Sequence, residues 1–110
     1  MPRPRSAVRT IEHPDVSDVS LQQLLDALVD PVRRSIVVQL ARSEAEKSCG
    51  SFDTNVSDST LTHHFAVLRE AGLIRQYYAG TTKMNALRAD EWEERFPGLL
   101  TSVLSASADD

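Results

Sequence analysis

A single cysteine, Cys49, stands among the 110 residues. No intrachain disulfide can form, and a chain that folds without covalent cross-links fits a reducing cytosol. No stretch approaches the roughly 20 apolar residues that a membrane-spanning helix needs. The N-terminus carries arginines with no apolar core behind them, so it does not read as a secretory signal. The expectation is a cytoplasmic protein without membrane contact. A glycine-rich phosphate loop, a His-Glu-x-x-His run and a pair of acids suited to a cleft are also missing. Nothing in the spacing of His63 and Cys49 makes them a base and nucleophile, so an enzyme is not expected. No internal repeat and no low-complexity tract occurs.

What is present suits one soluble domain. Hydrophobic residues make up 41% and charged residues 25%. At this length about two-thirds of the unfolded surface can be buried, so a lone protomer is modestly stable, and an apolar terminal helix could add stability by dimerising. The net charge is −4, which taken alone argues against nucleic acid. Its distribution says more. Arg3, Arg5 and Arg9 stand in the first ten residues without an acid. Between residues 54 and 88, Arg69, Arg75, Lys83 and Arg88 outnumber Asp58 and Glu70. After residue 88 come Asp90, Glu91, Glu93, Glu94, Asp109 and Asp110, with only Arg95 against them. The middle of the chain can face an anion and the C-terminal region cannot.

Three of the five prolines fall in residues 1–17, which read as a flexible arm, either a tail without a role or a basic arm reaching phosphates or the minor groove. Residues 18–106 read as the folded domain and 107–110 as a disordered tail. Asp18 or Ser20 can cap a first helix, "LQQLLDALVD", whose Leu21, Leu24, Leu25 and Leu28 form one stripe. In "DPVRRSIVVQLAR", Asp30 is a natural N-cap and Pro31 a natural first helical residue. Arg33 and Arg34 then read either as phosphate contacts or as solvated charges. In residues 43–56 a short helix is expected near Ser51. Ser57 caps the next helix, Asp58 to Ala71, and Gly72 ends it in a left-handed conformation. "LIRQYY", the glycine turn "AGTT" and "KMNALR" make a two-stranded hairpin. A helix restarts at Asp90, breaks at Pro97-Gly98 and continues through "LLTSVLSA". Trp92 and Phe96 read as packing, or as the lining of a small-molecule pocket.

Successive helical residues advance about 100°. In "STLTHHFAVLREAGLI", Leu61, Phe65 and Leu68 therefore share an inward face, with His64 half-buried beside it. Ser59, Thr62, His63 and Ala66 lie opposite, with Thr60 on the flank. Short polar side chains of this kind are what a helix needs to approach base edges in the major groove. Ser57 opens the helix, whose N-terminal N–H groups can take a phosphate. Arg69 adds to the local positive charge, and Arg75 and Lys83 on the hairpin can touch the flanking DNA backbone or minor groove.

"DPVRRSIVVQL" followed by "SDSTLTHHFAVLREAGLI" resembles the ArsR/SmtB-type bacterial transcriptional regulators. The resemblance covers about Leu21 to Leu87. It implies an α+β, mainly α fold: a winged helix-turn-helix with a two-stranded β-hairpin wing and terminal dimerisation helices. It also implies a homodimeric repressor on a two-fold symmetric operator in double-stranded DNA. By position, Ser59, Thr60, Thr62 and His63 would contact bases and phosphates. Metal-sensing relatives carry a Cys-x-Cys box before the recognition helix, whereas this chain has "SCGSF" with Cys49 alone. Residues 89–110 contain no histidine. His63 and His64 point about 100° apart and cannot chelate together. No metal and no cofactor is expected, and the inducer is left open. Cys49 reads as an incidental thiol, or as a redox switch whose oxidation releases DNA. The alternative function is a protein-interaction module that uses the same fold without DNA.

Overall fold

The computed structural model describes residues 10–43 and 45–107. The arginine-bearing stretch of residues 1–9 and the tail residues 108–110 lie outside the described residues. Among the described residues, five α-helices and three strands follow one another: α1 (Leu21–Val29), α2 (Pro31–Arg42), β1 (Lys47–Ser48), α3 (Asp58–Glu70), β2 (Ile74–Ala79), β3 (Thr82–Leu87), α4 (Ala89–Arg95) and α5 (Leu99–Ser107).

Local chemistry sets most of the boundaries. Ser20, not Asp18, caps α1. Its hydroxyl accepts from the Gln23 N–H while the Gln23 side chain accepts from the Ser20 N–H, so two orphan donors are satisfied reciprocally. The Asp30 carboxylate accepts from the N–H groups of Val32 and Arg33, with Pro31 at the first helical position. Arg33 and Arg34, read from sequence as phosphate contacts or solvated charges, turn back onto α1. Arg33 donates to the carbonyls of Ala27 and Asp26, and Arg34 to those of Leu28 and Val29. These are the last carbonyls of a helix, which have no partner within it.

One expectation is corrected between α2 and α3. The segment holds a two-residue strand, Lys47–Ser48, and a short 3-10 turn, Cys49–Ser51, instead of a helix from Ser51. The expected two-stranded hairpin is present as β2 and β3, and β1 adds to it, so the sheet has three antiparallel strands in the order β1-β3-β2. Two residues are too few to show an alternating pattern, so this strand left no periodic signal. The hairpin has the expected glycine turn, shortened to a two-residue connection because the strands extend to Ala79 and Thr82, with Gly80 at φ +66°.

The core runs from α1 through α3 to α4. Leu24, Ile36, Val37, Leu68, Leu73, Ile74 and Trp92 are almost completely buried. Trp92 Nε1 donates to the Gly72 carbonyl at 2.7 Å, and its ring stacks on Phe96 at 5.9 Å. Trp92 is thus core packing, not a pocket wall. Phe52 meets Phe65 edge-on at 5.4 Å and closes the core beneath the loop before α3.

The last part of the segment assigned to the N-terminal arm lies against the domain. Val16 is buried, and Val16–Asp18 forms a 3-10 turn capped by Asp15. His13 Nε2 accepts from the Gln76 N–H at 2.9 Å, covering the free edge of β2. Arg88 donates to the Pro14 carbonyl, and Arg95 to those of Val16 and Val19. At the other end, Ser107 still belongs to α5, its hydroxyl donating to the Val103 carbonyl.

Two stability predictions follow from this geometry. Gly72 has φ +75°, and an added Cβ would lie 3.4 Å from Val19 and 3.5 Å from Trp92. Gly72→Ala is expected to cost about 1–2 kcal/mol in urea unfolding, from the left-handed backbone alone. Burial lowers the pKa of His13, helped by the positive charges of Arg88, Arg75 and Arg69 and opposed by a backbone bond at Ile11. A lowered folded pKa means that the unfolded chain takes the proton first. The contribution of His13 is therefore complete above the ordinary value of about 6.5 and is lost as pH falls through the lowered value. Thermal midpoints between pH 8 and 5 should show this loss, and His13→Gln, which keeps an acceptor but does not titrate, should reduce it.

Candidate nucleic-acid interface

The inward side of α3 is fixed by hydrophobic burial. Leu61, Phe65, Leu68 and Ala71 are buried, and Leu68 is 0% exposed. His64 is buried more deeply than its place beside this stripe suggested, at 7% exposure. Its Nδ1 lies 3.2 Å from Arg33 Nη1. A guanidinium can only donate, so Nδ1 is the acceptor in this contact. Arg33 thereby joins α1, α2 and α3 through one side chain.

The outward side carries Ser59, Thr60, Thr62 and His63, all exposed. The two adjacent histidines diverge, with ring centroids 5.9 Å apart and planes tilted by 50°. One serves the core and the other the surface. Ser57 is the N-cap: its hydroxyl accepts from the Thr60 N–H at 3.3 Å and donates to Thr60 Oγ1 at 3.0 Å. Thr62 Oγ1 donates to the Asp58 carbonyl at 2.9 Å. These hydroxyls keep lone pairs for a further donor. His63 has no hydrogen bond among the described residues.

Between α3 and the sheet lies an open groove of about 510 Å³. Thr62, Ala66 and Arg69 line it from α3, Gln76 and Lys83 from the wing, and Cys49 from the 3-10 turn. Thr62, Arg69, Lys83 and Cys49, each singled out from sequence, thus share one concavity. Arg75 does not join them. It sits at the base of the hairpin with its guanidinium 4.0 Å from Glu91. Glu91 is held below the usual carboxylate range first by its hydrogen bond from Arg88, against the effect of burial. Lys83 lies nearer the hairpin tip, its ammonium 5.9 Å from the Tyr78 ring.

Sequence reasoning missed the polar pair behind the groove. Gln76 and Asn85 face each other across β2 and β3, at 1% and 0% exposure. Gln76 Nε2 donates to Asn85 Oδ1 at 2.9 Å, and Gln76 Oε1 accepts from Arg69 Nη1 at 2.6 Å. Asn85 Nδ2 donates to the Lys47 carbonyl at 3.1 Å and to Cys49 Sγ at 3.3 Å. Burial makes such a network costly unless every member is satisfied, and no buried side-chain N or O atom among the described residues lacks a partner. The network aims Arg69 along the groove and fastens β1 and Cys49 to the wing. A signal for it existed. A two-residue turn at Gly80-Thr81 fixes the register, and that register sets Gln76 opposite Asn85.

Residues 30–76, from the α2 cap into β2, match the bacterial regulatory protein, arsR family. The uncharacterized HTH-type transcriptional regulator YceK of Bacillus subtilis is 36% identical over 83 residues, covering 74% of this chain and 83% of that protein. The ArsR-like transcriptional regulator from Rhodococcus sp. RHA1 superposes with a TM-score of 0.57 at 23% identity, covering 78% of this chain and 87% of that one. At that identity the structural likeness speaks for the fold, the winged helix. The family and the 36% relative are transcriptional regulators, not enzymes, and their helix-turn-helix corresponds to α2 and α3 here. The chain belongs to the ArsR family of bacterial helix-turn-helix transcriptional regulators.

Proposed function

We propose that the protein is a repressor that binds a two-fold symmetric operator as a homodimer. The observation that carries this is the exposed, short, polar face of α3, with Ser59, Thr60, Thr62 and His63 in one patch above a groove holding Arg69 and Lys83. In this reading α3 enters the major groove, His63 and Thr62 read base edges, and Arg69 and Lys83 take phosphates. Ser57 shapes the start of the helix more than it contacts DNA. Arg75, paired with Glu91, steers charge at the base of the wing. A cytoplasmic location suits such a role.

The dimer reading rests on the apolar outer side of α1. Leu21, Leu25 and Val29 are 46%, 41% and 71% exposed, one turn apart, beside Val103 of α5. Large apolar side chains in such a stripe mark an interface.

The releasing cue fits thiol oxidation. A hydroperoxide would give Cys49 a sulfenic oxygen and leave as the alcohol, or as water from hydrogen peroxide. The added oxygen would crowd the Asn85 and Gln76 amides and so disturb Arg69.

Binding of a duplex from upstream of its own gene tests the reading. Affinity should fall steeply with salt, with a log–log slope of about −0.9 per phosphate neutralised. Thr62→Ala or His63→Ala should lower the preference over random DNA by about 1–3 kcal/mol, whereas Lys83→Ala should weaken binding to all duplexes alike. No preference for the upstream duplex at moderate salt would favour the alternative, a protein-interaction module, to which the net charge of −4 also lends itself. Peroxide should weaken the wild type and spare Cys49→Ser. Equal affinities with peroxide and with reductant would remove the redox cue and leave DNA binding intact.

A further inference from the structure

On the side of α5 turned away from α1 lies a second cavity, of about 630 Å³, between α2, α4 and α5. Its floor is apolar: Val38 from α2, Leu87 at the end of β3, and Leu100 and Leu104 from α5. Asp90 and Glu93, one turn apart on α4, stand on one wall. Among the described residues neither carboxylate is in an ion pair, although Glu93 accepts from the Gly98 N–H at 3.1 Å. Arg42, at the end of α2, stands on the rim without pairing to them. The volume falls within the range of small-molecule sites. An apolar floor with two unpaired carboxylates and one guanidinium favours a guest with an apolar body and a single positive charge.

We infer that this cavity between α2, α4 and α5 binds a hydrophobic organic cation, an amine or quaternary ammonium, as a regulatory ligand. The apolar body covers Val38, Leu87 and Leu104 while the cation faces Asp90 and Glu93. Exposed ion pairs contribute little, so most of the affinity comes from apolar burial and the carboxylates supply the preference for positive charge. Regulation rests on the dimeric-repressor reading: α5 has this cavity on one flank and the α1 stripe on the other. A guest wedged against α5 would shift the partner's seat and the separation of the two α3 helices. By linkage, DNA must then lower the affinity for the guest by the same factor as the guest lowers that for DNA.

Binding can be measured without DNA, which separates the site from the regulation. The full chain is titrated with benzyltriethylammonium, with benzyl alcohol as the neutral probe and benzenesulfonate as the anion, following methyl resonances. Saturable shifts are expected at Val38, Leu87 and Leu104, tightest for the cation and weakest for the anion. The pair Asp90→Asn and Glu93→Gln should weaken the cation about three- to tenfold and leave the alcohol unchanged. Ala41→Trp, at an exposed lining position, should block all three. Equal binding of the probes, shifts at Leu21 and Leu25 instead, or no saturation would overturn the site. So would an Ala41→Trp chain that loses self-association, because a second copy would then be the occupant. If the cation binds as expected but its affinity is the same with and without operator DNA, the regulatory role fails while the site stands.

Discussion

Leu61, Phe65 and Leu68 tie α3 to the rest of the protomer, and that burial decides which side chains remain outside. A helix has one circumference. Once a third of it is committed to the core, the positions of Ser59, Thr62 and His63 are set to within the play of a packed interior. Arg33 reinforces the choice by drawing His64 inward and tying it to the carbonyl end of α1. The presentation of the polar face is therefore a consequence of hydrophobic packing, and its chemistry was free to vary without unseating the helix.

The wing is held differently. Ile74 and Leu87 anchor its base in the core, and beyond them the Gln76–Asn85 pair binds β2, β3, β1, Arg69 and Cys49 into one polar cluster. Such a cluster has directional geometry, so it fixes angles where the hydrophobic effect fixes only proximity. On its outer edge β2 has the Gln76 N–H taken by His13, one donor fewer for pairing with another chain. Charge is divided along the same lines. Arg69 and Lys83 line the groove with Asp58 as the one acid beside them, whereas Asp90, Glu91, Glu93 and Glu94 stand together on α4. A net negative protein can thus offer DNA a locally favourable side.

Much of this was legible in the residues. The Asp30-Pro31 and Ser57 starts, the Gly72 stop and the glycine hairpin each have a local cause within a few residues, so α2, α3 and the hairpin could be read directly. The two faces of α3 followed from helical spacing. The pieces that escaped depend on distant parts of the chain. Arg33 and Arg34 look like free surface charges until the angle between α1 and α2 brings carbonyls beneath them. Gln76 has no local mark of burial in its strand, and Arg69 of α3 and Cys49 of the 3-10 turn close over it from outside the hairpin. Lys47–Ser48 is a strand only because β3 is there to pair with it. His13 and Val16, in a proline-rich stretch without period, are held by hydrogen bonds and by one buried valine, neither of which leaves a pattern.

The proposed seating of α3 on DNA can be tested residue by residue. In a backbone-amide NMR titration of the protein with a duplex from upstream of its own gene, the largest perturbations should fall at Ser59, Thr60, Thr62 and His63. Lys83 should follow. Saturable binding that leaves those four amides unmoved would contradict the account.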